Sequence, residues 1–145
     1  MRHRIVLFLL LVLSLCLTAC GSAKDELKLM PLVEQQLALG PRTPGSEAHR
    51  QFIEQTLESL KAEGWTVRCE EERYRGKTIR NIIAERGAEK TDLPWVVIGA
   101  HYDSRLTADQ EKIPANRQLP VPAANDGASG VAVLLGLAKT LPDSL

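Results

Sequence analysis

Residues 96–100 form one apolar, β-branched run, Val96-Val97-Ile98-Gly99-Ala100, and it ends abruptly on His101-Tyr102-Asp103-Ser104. Such a run reads as a buried strand. Ligands of open α/β sheets bind beyond the carboxyl ends of strands, so a His-x-Asp at this strand end is well placed for chemistry. Further on stands Asn125-Asp126-Gly127-Ala128-Ser129-Gly130, followed by Val131, Val133, Leu134, Leu135, Leu137, Ala138 and Leu141 at helical spacing. This predicts a helix over 128–141 with Asn125 and Asp126 at or near its N-cap, where short polar side chains are preferred. The small residues behind them let a backbone approach closely. His101 and Asp126 are therefore expected to converge on a divalent metal, imidazole and carboxylate together suiting zinc.

The remaining chain supports an α/β domain. Its 145 residues suffice for one domain, and 44% apolar with 25% charged residues is globular composition. A net charge of zero points away from nucleic acid. Apolar residues between Leu27 and Leu39 predict an amphipathic helix over 25–39, despite Pro31. Gly40-Pro41-Arg42-Thr43-Pro44-Gly45 must turn, and Ser46 caps a second helix whose apolar face is Phe52, Ile53, Leu57 and Leu60. Gly64 ends it, and His49 in its first turns reads as a surface residue.

Strands are predicted at 65–73, 78–85 and 95–101, the first two as a hairpin around Arg75-Gly76-Lys77. Trp95 opens the third and is expected in the core. Glu70-Glu71-Glu72 reads as a solvated strand end, because neighbours on a strand point to opposite faces. Residues 87–94 read as a charged loop. Residues 104–125 contain Pro114, Pro120 and Pro122 and form a long loop expected to rim the site.

The N-terminus reads as a targeting segment. Arg2 and Arg4 precede an apolar stretch over 5–15, too short to span a membrane. Leu17-Thr18-Ala19-Cys20 resembles a bacterial lipobox, which implies a signal peptide over 1–19, lipidation of Cys20 and a linker over 20–24. Plain secretion with cleavage after Ala19 is the alternative. The expected location is the cell envelope, as a lipid-anchored protein, on the outer membrane if the host is Gram-negative. Cys16 leaves with the signal and Cys20 carries lipid, so Cys69 has no partner for a disulfide and reads as a small buried hydrophobe.

Four motifs recur in order: Arg42-Thr43-Pro44-Gly45-Ser46, Asn81-Ile82-Ile83-Ala84, Gly99-Ala100-His101-Tyr102-Asp103-Ser104 and Ala124-Asn125-Asp126-Gly127-Ala128-Ser129-Gly130. Together they resemble the N-terminal half of M28-type zinc aminopeptidases and of the related animal-type glutaminyl cyclases, over about residues 25–145. The resemblance implies an α/β fold of the zinc-exopeptidase type, a mixed sheet flanked by helices, here truncated after the helix that follows the first metal-ligand segments. It implies that Asp126 bridges two zinc ions in a peptidase or binds the single zinc of a cyclase. His101 would bind the second zinc in the peptidase version, and Asp103 would orient His101. The general-acid/base glutamate and the later ligands are expected beyond Leu145.

The function implied first is aminopeptidase-type hydrolysis at peptide N-termini. Cyclisation of N-terminal glutamine to pyroglutamate is the alternative, and a non-catalytic surface lipoprotein or inactive fragment is the reading of another class. Peptide N-termini would be the substrate in either enzyme reading.

Overall fold

The structure is a computed structural model and describes residues 28–87, 92 and 94–142. The predicted signal peptide over 1–19, Cys20 and the linker over 20–24 lie outside the described residues, as do residues 88–91 and 93 of the charged loop.

Helix α1, Met30–Ala38, is shorter than the predicted 25–39. Pro31 falls in its first turn, where a missing N–H costs no helical hydrogen bond. Helix α2, Glu47–Ala62, starts as expected: Ser46 caps it, its Oγ accepting a hydrogen bond from the His49 N–H at 3.1 Å. Gly64, at φ +80°, turns the chain out of it. Its inward stripe is His49, Phe52, Ile53, Thr56 and Leu60, all buried.

Strand β1, Thr66–Tyr74, pairs antiparallel with β2, Lys77–Glu85, in the register Tyr74↔Lys77 to Thr66↔Glu85. Arg75 and Gly76 close the hairpin with φ of 48° and 78°. Two positive φ angles in a two-residue loop match the right-handed twist of the strands. Val67 faces Ala84 and Cys69 faces Ile82 across the ladder, all partly covered. Cys69 and Ile82 pack against the Phe52, Ile53 and Val131 cluster. Helix α3, Ser129–Thr140, completes the fold. It packs on α1 through Val33, Ala128 and Ala132 and on α2 through Val131. The Trp65 indole N–H donates to the Ala138 carbonyl at 3.0 Å, tying the hairpin to the end of α3.

The fold is α/β, but two expectations about its centre are corrected. Residues 95–101 run without strand pairing, and the described sheet is the two-stranded β1-β2. A strand exists through its neighbours' N–H and C=O groups, and no described segment lies alongside to supply them. Trp95 is correspondingly 59% exposed rather than in the core, and Val96, Val97 and Ile98 are exposed with it. Residues 94–101, the β2 side chains Ile79 and Ile82, and Leu134 and Leu135 of α3 share the lining of one cleft of about 980 Å³.

Candidate metal centre

The site lies where the 95–101 segment ends and α3 begins. Asp126 does not cap α3: the N-cap is Ala128, with no side-chain cap. Residues Ala124–Ala128 form a kinked turn, with Asp126 at φ −87°, ψ 88° and Gly127 at φ 107°, ψ −60°. The turn is entered through Ala123, whose φ of 60° and ψ of 49° are left-handed. This geometry throws the Asp126 carboxylate back over His101. The His101 Nε2 stands 2.9 Å from the Asp126 Oδ1, and its Nδ1 stands 3.4 Å from the Asp103 Oδ1. All three side chains are about half exposed.

Gly127 is required on two counts. Its φ suits glycine, and a Cβ there would stand 3.2 Å from the His101 Cε1 and 3.3 Å from the backbone oxygens of His101 and Asp103. A Cβ on Gly130 would stand 3.1 Å from the Ala100 Cβ. The small residues of the Asp126 motif thus let α3 start directly against the His101 segment.

Below the site is Arg42, which the sequence placed in a turn and at the head of the first motif without giving it a role. Arg42 is 0% exposed. Its Nε donates to the Tyr102 carbonyl at 3.0 Å, its Nη1 to the Gln36 carbonyl at 3.1 Å and to the Pro122 carbonyl at 3.5 Å, and its Nη2 to the Ala123 carbonyl at 3.2 Å. The Arg42 carbonyl accepts from the Ser104 N–H at 3.1 Å. Burial draws the guanidinium below its ordinary pKa, and the Asp103 charge opposes that. The signals in the sequence were its place in that motif and an arginine inside a Pro/Gly-rich loop with no acid beside it until Glu47. Gln36 assists, its amide donating to the carbonyls of Leu32 and Ala128 at 2.9 and 3.0 Å.

His49 is also corrected. It is 3% exposed, not on the surface. Its ring stacks on Tyr102 at 5.2 Å between centroids, Phe52 stacks on Tyr102 at 5.0 Å, and the His49 Nδ1 has no hydrogen-bond partner. The spacing 49, 52, 53, 56, 60 is that of one helix face, so the stripe itself held the signal. Desolvation lowers the His49 pKa, the Arg80 charge adds to this, and Asp103 opposes it. The Tyr102 hydroxyl donates to the Arg80 carbonyl at 2.6 Å, and burial pushes its pKa up to about 12.

An imidazole nitrogen and a carboxylate oxygen are ligand types that zinc takes, and here they face each other at 2.9 Å. Asp103 stands at the far ring nitrogen, where a metal-bound imidazole finds its orienting partner. Among the described residues no group of three or more His, Cys, Asp or Glu is placed to hold a metal. His101 and Asp126 therefore fit zinc as part of a ligand set.

Residues 81–145 match the family model for peptidase family M28. The structure resembles the glutaminyl cyclase of Tannerella forsythia, with 34% identity and a TM-score of 0.70, over 77% of this chain and 39% of that one. It resembles a Zn-dependent exopeptidase from Parabacteroides distasonis, with 28% identity and a TM-score of 0.65, over 81% of this chain and 42% of that one. The uncharacterized protein YfbL of Escherichia coli is 41% identical over 66 residues, which are 46% of this chain and 18% of YfbL. The chain thus spans about two-fifths of the solved structures and a smaller share of YfbL. Residues 81–145 thus match peptidase family M28, and the described fold is similar to that of glutaminyl cyclases and Zn-dependent exopeptidases over the part that it spans.

Proposed function

We propose that the protein is a zinc-dependent enzyme acting at the amino-terminal end of peptides, and that its reaction is the cyclisation of an N-terminal glutamine. The observation that supports a metal-dependent reaction is the approach of the His101 Nε2 to the Asp126 Oδ1 at 2.9 Å, on segments held together from below by Arg42. Asp126 would hold the ion, and His101, its ring oriented by Asp103, would join as a ligand where a second zinc binds. When bound, zinc supplies Lewis-acid polarisation of a carbonyl or amide oxygen. The half-exposed setting of His101 and Asp126 leaves room for a substrate on their open side.

Cyclisation is favoured by the higher identity to the Tannerella enzyme, 34% against 28% for the exopeptidase. In that reaction the substrate's α-amino group attacks its own side-chain amide carbon, the C–N bond to the amide nitrogen breaks, and ammonia leaves. Aminopeptidase-type hydrolysis is the second reading, favoured by the match of residues 81–145 to the peptidase family model.

Assay of the full-length protein on a glutaminyl peptide and on leucine-p-nitroanilide separates the two. Pyroglutamate formation without release of p-nitroaniline is expected. Hydrolysis of the anilide without cyclisation would replace the first reading with the second. The location proposed is the cell envelope, through lipid on Cys20. Cys20→Ala should move the protein from the membrane to the soluble fraction, and retention on the membrane would refute the anchor.

A further inference from the structure

Arg42 contacts neither His101 nor Asp126 through its side chain, yet it holds the chain on both sides of the site. Its Nε grips the carbonyl of Tyr102, and its own carbonyl takes the N–H of Ser104. Asp103 is therefore clamped between two fixed peptide groups, and His101 directly precedes them. The Nη2 grips the carbonyl of Ala123 and the Nη1 reaches that of Pro122. Ala123 is in the left-handed region at φ 60°, a conformation an alanine does not favour. The same carbonyl also accepts from the Ala128 N–H at 3.2 Å. One buried guanidinium thus joins the end of the 95–101 segment to a strained turn, and that turn aims Asp126.

A planar fork with five donors can bind several carbonyls in fixed directions; a lysine ammonium cannot reproduce that fan. Without Arg42 the left-handed Ala123 keeps only the Ala128 N–H on its carbonyl, and the Tyr102 carbonyl loses its guanidinium donor.

We infer that Arg42 is the positioning residue of the metal centre: by bonding the carbonyls of Tyr102 and Ala123 at once, it fixes the place of Asp126 beside the His101 segment and so readies it for zinc. This rests on the proposal that Asp126 binds zinc. Strain at Ala123 is the means by which the coupling is read. Relieving that strain makes Arg42 less necessary, whereas increasing it does the opposite.

The test measures zinc affinity of the full-length protein by competition with a chromophoric chelator, alongside thermal unfolding of the metal-free form. Asp126→Asn is included as the control on the metal assignment. Arg42→Lys should weaken zinc binding about tenfold, the scale seen when a residue supporting a metal ligand is lost. It should lower kcat with KM little changed. Adding Ala123→Gly to that variant should recover at least about threefold of the lost affinity, because glycine adopts the left-handed turn freely.

Ala123→Val, with Arg42 intact, should weaken zinc binding by itself, and it keeps the test alive if Arg42→Lys does not fold. Zinc affinity within twofold of wild type in a folded Arg42→Lys protein, whatever its melting temperature, would overturn the inference. So would a failure of Ala123→Gly to restore affinity, or wild-type affinity in a folded Ala123→Val protein. Equal zinc binding by wild type and Asp126→Asn would remove the metal assignment itself, and the inference with it.

Discussion

The Nε2 of His101 lies 2.9 Å from the Oδ1 of Asp126, although the two residues belong to different segments joined by the long loop over 104–125. Their contact depends on a turn with two unusual backbone positions, Ala123 and Gly127. The contact brings two ligand types that zinc takes to one point at the edge of the cleft.

Asp126→Asn should therefore abolish activity of the full-length protein in either reaction, since Asp126 is a ligand in both readings. His101→Ala should abolish it only if two zinc ions operate. Metal analysis of the purified variants separates these cases. Two zincs falling to one in His101→Ala supports hydrolysis, and one zinc unchanged supports cyclisation. Full activity in Asp126→Asn would remove the metal-site assignment.

Gly127→Ala tests the turn. The left-handed backbone costs a non-glycine residue about 1–2 kcal/mol, and the added Cβ would press on the His101 Cε1 at 3.2 Å. Chemical denaturation should show a loss of at least about 1 kcal/mol, with zinc affinity reduced as well. Unchanged stability and affinity would mean that the kink is not needed.

Tyr102 ties the site segment to β2 through its hydroxyl and the Arg80 carbonyl. Tyr102→Phe keeps the stacking with Phe52 and His49 but leaves that carbonyl without its donor. A loss of about 1 kcal/mol in urea unfolding is expected. The phenol also predicts an alkaline effect. Its pKa rises from 10 unfolded to about 12 folded, so the folded state holds the proton more tightly. The stabilisation is complete below pH 10 and is lost as pH rises from about 10 to 12. Unfolding midpoints across that window should fall more steeply for wild type than for Tyr102→Phe.

His49 predicts the acid counterpart. Its folded pKa lies below the ordinary 6.5 because the ring is desolvated, so the unfolded chain takes up the proton first. Stability is complete above about pH 6.5 and is lost as pH falls through the folded value. His49→Phe, which retains a ring against Tyr102, should flatten the pH dependence of unfolding below pH 6.5. An unchanged slope would show that His49 does not carry it.

Local rules determined much of this protein from the sequence alone. Ser46 and Gly64 bound α2, Arg75-Gly76 closes the hairpin, and the apolar spacing after Gly130 marks α3, because caps, two-residue turns and helical faces depend on residues near in the chain. The four motifs likewise carried the resemblance to M28-type enzymes, with which the match of residues 81–145 agrees. Tertiary structure decided what depends on distant partners. Residues 95–101 carry every local mark of a strand, yet strand pairing needs a neighbour, and none stands beside them among the described residues. His49 is buried because Tyr102 from another segment stacks on it. Arg42 matters because the carbonyls it binds come from Tyr102, Pro122 and Ala123, far along the chain. A buried guanidinium must find acceptors wherever the fold brings them, and no window of sequence around Arg42 contains that information.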